Sequence, residues 1–543
     1  MTAPGHPLPP ASEEVRPGYE RRWWVLATMT VCLLVVIMGN TILNVALPTL
    51  QRELGATHGE LQWAVDAYIL VFAGLLFSWG VIGDRIGRRR VLLIGLAVFT
   101  SGSVMAAFCD GPLQLIAWRA VMGVGGAAVQ PATLAVITNV FPPAERGRAI
   151  GVWAGAAGLA VAGGPLAGGA VLVHFWWGAV FLLGVPVALL AMAGTLAVVP
   201  ESRDPDPGRL DVPGVLLSIA ALAGLVYGII RGGSGEGWTA PGVLVPLVGG
   251  LALLALFVWS QRRSRHPALD VSLFRNPAFS AAAGALGLNF FALMGATFYI
   301  VYYLQGVRGY SPLESGATLI PVALGMAVTA PQSSKLAGRY GAKAVCGTGF
   351  LLIATSFAGM QLLDRTSPLW LLLVVLAVQG IGMGSVMAPA TESIMSVVPR
   401  ERAGAGAAVN NSVRQVGGAL GVAVLGSLLA SAYAARVGPL VEALPPGERA
   451  EAGRSIVATL EAVRRVREGA DGEAAGAAGA IIDPARDAFV AAMHVTAVGT
   501  AAASLVAAIV VAVWLPGRRD RRVRRGPAAR RHARRQGVAH PSG

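Results

Sequence analysis

The chain has 543 residues, of which 55% are hydrophobic and only 13% are charged. Soluble globular proteins carry about a quarter charged residues, and disordered chains are poor in apolar residues, so the composition excludes both classes. The formal net charge of +14 would suit a nucleic-acid-binding protein. Its arginines, however, lie mostly between long apolar blocks, which indicates a membrane partner and no nucleic acid.

Long apolar blocks run through most of the chain. A helix needs about 20 mostly apolar residues to cross a hydrocarbon core about 30 Å thick. Blocks of that length predict fourteen membrane-spanning helices, near residues 24–47, 61–82, 91–109, 113–138, 149–172, 177–199, 213–231, 241–260, 279–303, 313–333, 343–363, 368–396, 404–430 and 488–514. The predicted fold class is therefore an all-α integral membrane protein, and we expect no cleavable signal peptide before the first block.

The lysines and arginines of the connecting segments predict the orientation in the membrane. With the N-terminus inside, the short cytoplasmic segments carry 20 of these residues and the short outer loops only 4. Cytoplasmic loops are enriched in Lys and Arg, so both termini are predicted to be cytoplasmic and the chain to cross the plasma membrane many times. The tail after residue 515 adds ten arginines and is expected to lie beside anionic lipid of the inner leaflet.

Two sequence landmarks recur at nearly the same offset. The run PAT occurs at 131–133 and again at 389–391, 258 residues apart. The loop runs GDRIGR at 83–88 and AGRYGA at 337–342 recur 254 residues apart. This repeat predicts two six-span halves, an arrangement that many secondary transporters use to build a midplane substrate site. The predicted divisions are a cytoplasmic segment 1–23, a first bundle 24–199, a linker with two extra spans 200–278, a second bundle 279–514 with an outer loop 431–487, and a basic tail 515–543.

Charged side chains inside the spans are few. Asp66 in the second span and Arg119 in the fourth lie at similar depth, so each is a candidate partner of the other. A carboxylate balanced between desolvation and a nearby arginine could exchange protons during a transport cycle. In the second half, Arg414 is predicted either to pair with Glu392 or to attract an anionic group of a substrate. A purely structural role remains open for each of these residues.

Two glycine-rich motifs carry a family resemblance. The loop after span two resembles the signature loop of the major facilitator superfamily. The resemblance implies a conformational latch formed by Gly83, Asp84, Arg85, Gly87 and Arg88. Span five resembles the antiporter motif of proton-driven drug exporters, which implies a gating role for Gly164, Pro165, Gly168 and Gly169. As alternatives, the charges of the first motif only set the orientation of the helices in the membrane, and the glycines of the second only let helices pack closely.

Further motifs resemble one subgroup of this superfamily. The runs GNTILNVALP at 39–48, WAVDAY at 63–68 and GGALGVA at 417–423 resemble fourteen-span drug–proton antiporters of the EmrB/QacA type. The resemblance covers residues 20 to 515 and implies a major facilitator fold. It also implies that Arg119 tunes the proton site. The family usually has an aspartate where Gly39 stands, and cation exporters often have acids where Asn410 and Asn411 stand.

These observations favour a transporter driven by the proton motive force. The two lysines are followed by leucine and alanine, so no phosphate-binding Gly-Lys-Ser/Thr loop exists, and no catalytic or metal-ligand spacing predicts an enzyme, a metal or a cofactor. We expect a monomer that exports small amphipathic drugs or metabolites in exchange for protons. The alternative is transport of a smaller metabolite or nutrient with altered or absent proton coupling. The candidate cavity residues are Asn44, Tyr68, Asn289, Tyr299, Gln305, Glu392, Asn410, Asn411 and Arg414.

Overall fold

A computed structural model of the protein describes residues 19–203, 211–233, 237–264, 271–397, 403–469 and 473–515. Within these ranges the chain forms helices and turns, with no β-strand. The basic tail from residue 516 onward and most of the predicted segment 1–23 lie outside the described residues. The same holds for Arg209, Arg265, Arg400 and Arg402 of the predicted cytoplasmic loops.

Nineteen α-helices follow one another along the described chain. The first nine are α1 (Arg22–Leu54), α2 (His58–Ile86), α3 (Arg88–Ala107), α4 (Pro112–Val140), α5 (Pro143–His174), α6 (Ala179–Leu182), α7 (Gly184–Val198), α8 (Val212–Arg231) and α9 (Pro241–Arg263). The remaining ten are α10 (Pro277–Tyr302), α11 (Pro312–Thr318), α12 (Ile320–Tyr340), α13 (Ala342–Gly359), α14 (Leu369–Val397), α15 (Ala403–Val441), α16 (Pro446–Ala452), α17 (Ile456–Gly469), α18 (Glu473–Ala480) and α19 (Ile482–Trp514).

The helices match the predicted membrane spans. Thirteen segments of the described chain are long and apolar enough to cross a membrane. The fourteenth predicted span, 149–172, lies within α5, whose 32 residues extend about 48 Å. Two spans are interrupted helices, because α6 and α7 meet at Leu183 and α11 and α12 meet at Leu319. The prediction of an all-α membrane fold is confirmed.

The region predicted as outer loop 431–487 is largely helical. Helix α15 continues to Val441, about 16 Å beyond its predicted end, and α19 begins at Ile482. Between them, α16 packs on α17 and α17 on α18, and we call this unit the outer cap (residues 442–469 and 473–481). Its helix α17 buries Ile456, Ala462 and Val463 against the protein. A search for long apolar runs misses α17, because arginines and glutamates interrupt its apolar residues along the sequence.

The turns of the two repeats have the same backbone geometry. Gly87 joins α2 to α3 with φ +115°, and Gly341 joins α12 to α13 with φ +95°. Residues with a side chain rarely adopt such positive φ angles, whereas glycine adopts them without strain. Helices α8 and α9 pack against each other, and α8 also packs against α2 and α15. The structure thus has two similar bundles with an additional helix pair beside their junction.

Candidate functional site

Arg119 holds three helices of the first bundle together. Its side chain is fully buried on α4, where Nε donates to the Ala64 carbonyl at 2.9 Å and Nη1 donates to the Gly39 carbonyl at 3.0 Å. The guanidinium carbon lies 4.5 Å from the ring centroid of Tyr68, whose hydroxyl donates to the Val36 carbonyl at 3.3 Å. The charge is therefore satisfied by backbone carbonyls and an aromatic face, and its Nη2 has no partner in the described structure.

Asp66 does not pair with Arg119. The Asp66 side chain is fully buried, and neither carboxylate oxygen has a hydrogen-bond partner among the described residues. It lies four residues after Gln62, hence on the same face of α2, and Gln62 donates to the Val422 carbonyl of α15 at 3.1 Å. Similar depth suggested a pair, but Asp66 lies on the face of α2 turned to the second bundle.

Gly39 leaves no room for the aspartate that the family resemblance leads one to expect. A Cβ atom on residue 39 would lie 2.5 Å from Cζ of Phe99 on α3. Atoms at that distance overlap, so a side chain at position 39 requires the Phe99 ring to move. The Phe99 ring thus occupies the space of the missing carboxylate, and Arg119 binds the Gly39 carbonyl instead.

The two bundles are joined on the side that carries the outer cap. Gln62 binds Val422 there, Gln305 Nε2 donates to the Val45 carbonyl at 2.9 Å, and Gln51 Nε2 donates to Ser455 Oγ at 2.5 Å. In the described residues, the hydrogen bonds between the two bundles lie on this side. We call these three glutamines the outer closure.

Beside the outer closure lies a residue that the sequence analysis missed. His58 begins α2 and is buried between Phe298 and Tyr302 of α10, with ring centroids 5.1 and 5.4 Å away. Neither ring nitrogen of His58 has a hydrogen-bond partner in the described structure. The predicted span began at residue 61, so His58 was assigned to a loop. The spacing of Gln62 and Asp66, four residues apart in an apolar span, was the available signal for a polar face.

The signature loop is held by a local ion pair and by a contact from the end of α7. Nη2 of Arg88 donates to Asp84 Oδ1 at 2.9 Å. Glu201 accepts from the Arg89 backbone at 3.2 Å and lies against the turn at Gly87. A Cβ atom on Gly83 would make ordinary van der Waals contact with Val91, at 3.9 Å. The gating role of this loop stays a prediction.

The antiporter motif of α5 lies where helices approach closely. A Cβ atom on Gly164 would meet Oγ1 of Thr41, and one on Gly168 would lie 2.5 Å from Ile42 of α1. Gly169 and Pro165 instead face the start of α11 in the second bundle. The motif therefore sits at the junction of α1, α5 and α11, consistent with packing across the bundle interface.

The candidate residues of the second bundle separate into two groups. Tyr299 is buried within that bundle and donates to Sδ of Met360 at 3.4 Å, and Glu392 is exposed near the end of α14. Of the two alternatives for Arg414, the pair with Glu392 is not formed among the described residues, where the guanidinium carbon lies 4.4 Å from the centroid of the Phe290 ring. The remaining candidates lie inside the bundles: Asn44, Asn289 and Asn410 are buried, and Asn411 and Arg414 are half-buried.

A cavity of about 490 Å³ lies beneath the outer cap. Its walls combine Pro48 and Arg52 from α1, Gln305 and Tyr310 from the α10–α11 connection, and Leu460 from the outer cap. No group of His, Cys, Asp or Glu residues in the described ranges is arranged to hold a metal ion. The described site thus consists of isolated charges in apolar helices.

Comparison with known proteins identifies the family. The family model of the Major Facilitator Superfamily matches residues 29–422. The chain is 35% identical to the multidrug efflux pump LfrA of Mycolicibacterium smegmatis, over 91% of this chain and 96% of that protein. It is 34% identical to the tetracenomycin C resistance and export protein of Streptomyces glaucescens, over 81% of each chain.

Solved structures agree with the family assignment at the level of the fold. A bacterial homologue of the human lysosomal transporter Spinster, in an inward-facing and unoccupied conformation, superimposes with a TM-score of 0.61. That alignment covers 90% of this chain and 97% of the other, at 17% identity. The protein belongs to the Major Facilitator Superfamily and is a multi-pass membrane transporter.

Proposed function

We propose that the protein exports amphipathic drugs, antibiotics or related metabolites in exchange for protons. The observation that carries this proposal is the similarity, over nearly the full length of both chains, to a protein named as a multidrug efflux pump. A second relative of similar identity is named as a resistance and export protein. Alternating access between the two bundles would carry the substrate across the membrane.

Asp66 is the proposed site of proton coupling. A buried carboxylate without a hydrogen-bond partner is costly as an anion, so Asp66 would carry a proton while the bundles close over it. Because Gln62 lies one turn away, separation of the outer closure would bring water from the outer side to the Asp66 carboxylate. The same carboxylate would release its proton after the bundles open toward the cytoplasm.

Arg119 has a positioning role in this proposal. Its bonds to Gly39 and Ala64 fix α1 and α2 against α4, which holds the segment of α2 that bears Asp66. The ion pair of Asp84 with Arg88 and the close packing of α5 would stabilise one access state.

The distribution of Lys and Arg supports an orientation in the plasma membrane in which both termini lie in the cytoplasm. The monomeric state is an expectation of the proposal.

A transporter of a smaller metabolite or nutrient is the second candidate. The position of Gly39 favours it, because the Phe99 ring fills the space in which related antiporters are expected to carry an acid. Such a transporter would move its substrate with altered proton coupling or with none. The two candidates differ in whether substrate movement discharges a proton gradient.

Everted membrane vesicles with an acid-inside gradient distinguish these candidates. We expect at least one compound of an antibiotic panel, including puromycin and tetracenomycin C, to discharge the gradient only in vesicles that contain the protein. The Asp66→Asn variant should not discharge it, whereas Asp110→Asn, which neutralises an exposed carboxylate at the α3–α4 turn, should behave as wild type. Discharge by no compound would refute drug–proton exchange.

A further inference from the structure

The second bundle contains a cation without a countercharge. Arg414 lies within α15, and its guanidinium carbon stands 4.4 Å from the centroid of the Phe290 ring. Among the described residues, no carboxylate and no hydrogen-bond acceptor contacts this guanidinium. The Phe290 ring covers one face of the planar group, which leaves the N–H donors along its edge for another molecule. Arg414 itself is half-buried.

Unsatisfied amides accompany this arginine. Asn289, next to Phe290 on α10, is fully buried, and both polar atoms of its side chain lack partners in the described structure. Asn410, one turn before Arg414, has an unpartnered Oδ1 and is 8% exposed. Buried polar groups are normally hydrogen-bonded, and a group left without a partner is often satisfied by water or a ligand. Asn289 and Asn410 therefore offer unused donors and acceptors on the two helices that carry Phe290 and Arg414.

The carboxylates that could bind a cationic substrate are few. Only Asp66, Glu314 and Glu392 occur in the predicted spans. Asp66 is 0% exposed, and Glu314 binds the backbone and hydroxyl of Ser311 as part of a helix cap. Glu392 lies exposed near one end of α14. The acids in the predicted spans of the second bundle thus lie near helix ends, whereas Arg414 lies within α15.

We infer that Arg414, with Asn289 and Asn410, recognises an acidic group on an aromatic substrate, so that the protein exports aromatic acids in preference to permanent cations. A carboxylate or phenolate can accept two parallel hydrogen bonds from a guanidinium, and a low-dielectric surrounding strengthens that contact. The Phe290 ring beside Arg414 offers a surface for the aromatic part of the substrate. This inference rests on the proposed export function and specifies its substrate class.

Two dyes that share a xanthene ring system but differ in charge provide the test. Everted vesicles containing the full-length protein are energised to acid-inside, and accumulated fluorescein, an acid, or rhodamine 6G, a cation, is extracted and measured. Vesicles without the protein supply the background for each dye. We expect fluorescein to accumulate at least about tenfold more than rhodamine 6G, since a charge-assisted pair contributes at least that factor.

Variants of Arg414 separate recognition from folding. Arg414→Gln should lower fluorescein accumulation about tenfold, and Arg414→Glu should reverse the preference so that rhodamine 6G accumulates instead. Such a gain cannot come from an unfolded protein. Arg436→Gln is the matched control, because this exposed arginine of the same helix bonds only to the carbonyl of Ala432.

The outcomes that contradict the inference are distinct from those that contradict drug export. Accumulation of rhodamine 6G by the wild type at the level of fluorescein, or unchanged fluorescein accumulation by Arg414→Gln, overturns the assignment of aromatic acids. In both cases export of an aromatic compound still stands. Accumulation of neither dye overturns the assignment too, and the antibiotic panel then decides whether the chain exports drugs at all.

Discussion

Single residues determine which charges of this transporter can take part in chemistry. Two backbone carbonyls and the Tyr68 ring contact the Arg119 guanidinium, and no acid among the described residues pairs with it. Asp66 is its opposite, a carboxylate without any partner in the described structure. Hydrogen bonds to a buried group contribute to stability, whereas a buried carboxylate without a partner is a candidate for proton exchange.

Replacing Arg119 by lysine should destabilise the first bundle. Arg119 reaches the Ala64 and Gly39 carbonyls with two separate nitrogens, Nε and Nη1, whereas lysine has a single nitrogen, so we expect it to lose one of the two bonds. Loss of one charge-assisted hydrogen bond costs about 1.5–3 kcal/mol. We expect a lower thermal unfolding temperature in detergent for Arg119→Lys than for wild type. An unchanged unfolding temperature would show that the carbonyl bonds contribute little.

A carboxylate can be restored at position 39 only together with a smaller residue at position 99. Gly39→Asp alone should destabilise the protein by about 1–3 kcal/mol, because its Cβ overlaps the Phe99 ring. The double variant Gly39→Asp/Phe99→Ala should lose less stability than the sum of the two single variants, since the aspartate no longer overlaps the ring. A thermodynamic cycle of the two single variants and the double variant measures this coupling. Additive effects would contradict the steric explanation.

At the scale of secondary structure, contacts between helices distinguish one access state from another. Helix α5 illustrates this at its motif, where the backbone at Gly164 lies against Thr41 of α1. One residue earlier, a Cβ atom on Gly163 would meet no atom within 4 Å. Two adjacent glycines therefore have opposite tolerance for the same added methyl group.

This pair of glycines gives a matched prediction. Gly164→Ala should reduce transport and lower stability by about 1–3 kcal/mol, because the new methyl group overlaps the Thr41 hydroxyl. Gly163→Ala should leave both unchanged or slightly improve stability through higher helix propensity. Transport rate and unfolding temperature are measured for both variants in the same membranes. Equal losses for the two variants would exclude the contact with α1 as the cause.

The outer closure should control opening toward the outer side. Gln62→Leu removes the hydrogen bond to Val422 and should increase the population of states in which the bundles separate there. Spin labels on cysteines at exposed Glu53 and Arg436 report that separation, and we expect a larger fraction of long distances. Gln114→Leu is the control, because Gln114 bonds only within its own turn, to the Asp110 backbone. An unchanged distance distribution for Gln62→Leu would contradict the role of this bond.

At the scale of the whole molecule, the sequence predicts the membrane spans well and the side-chain contacts poorly. Apolar runs and the repeat offset determine where helices lie, so α2, α4 and α13 fall close to their predicted places. Depth in the membrane follows from position in a helix, but the direction in which a side chain points depends on how helices rotate against their neighbours. The expected pairs of Asp66 with Arg119 and of Arg414 with Glu392 failed for that reason.

The outer cap shows a second limit of the sequence. Its short helices carry arginines paired with nearby acids, as Arg465 with Glu448 at 2.7 Å, and their apolar faces are too narrow to resemble a span. Only the packed structure reveals that Ser455 and Gln51 connect the outer cap to α1 and that a cavity lies beneath it. Such contacts join residues about 400 positions apart, which no local pattern can indicate.

The central claim is that Asp66 couples export to proton entry, and proteoliposomes test it most directly. Purified protein is reconstituted, a pH gradient is imposed as the only energy source, and a compound that discharged the gradient in vesicles is supplied. Wild type should accumulate this substrate against its concentration gradient, whereas Asp66→Asn should only equilibrate it. Accumulation by Asp66→Asn to the wild-type level would contradict the account.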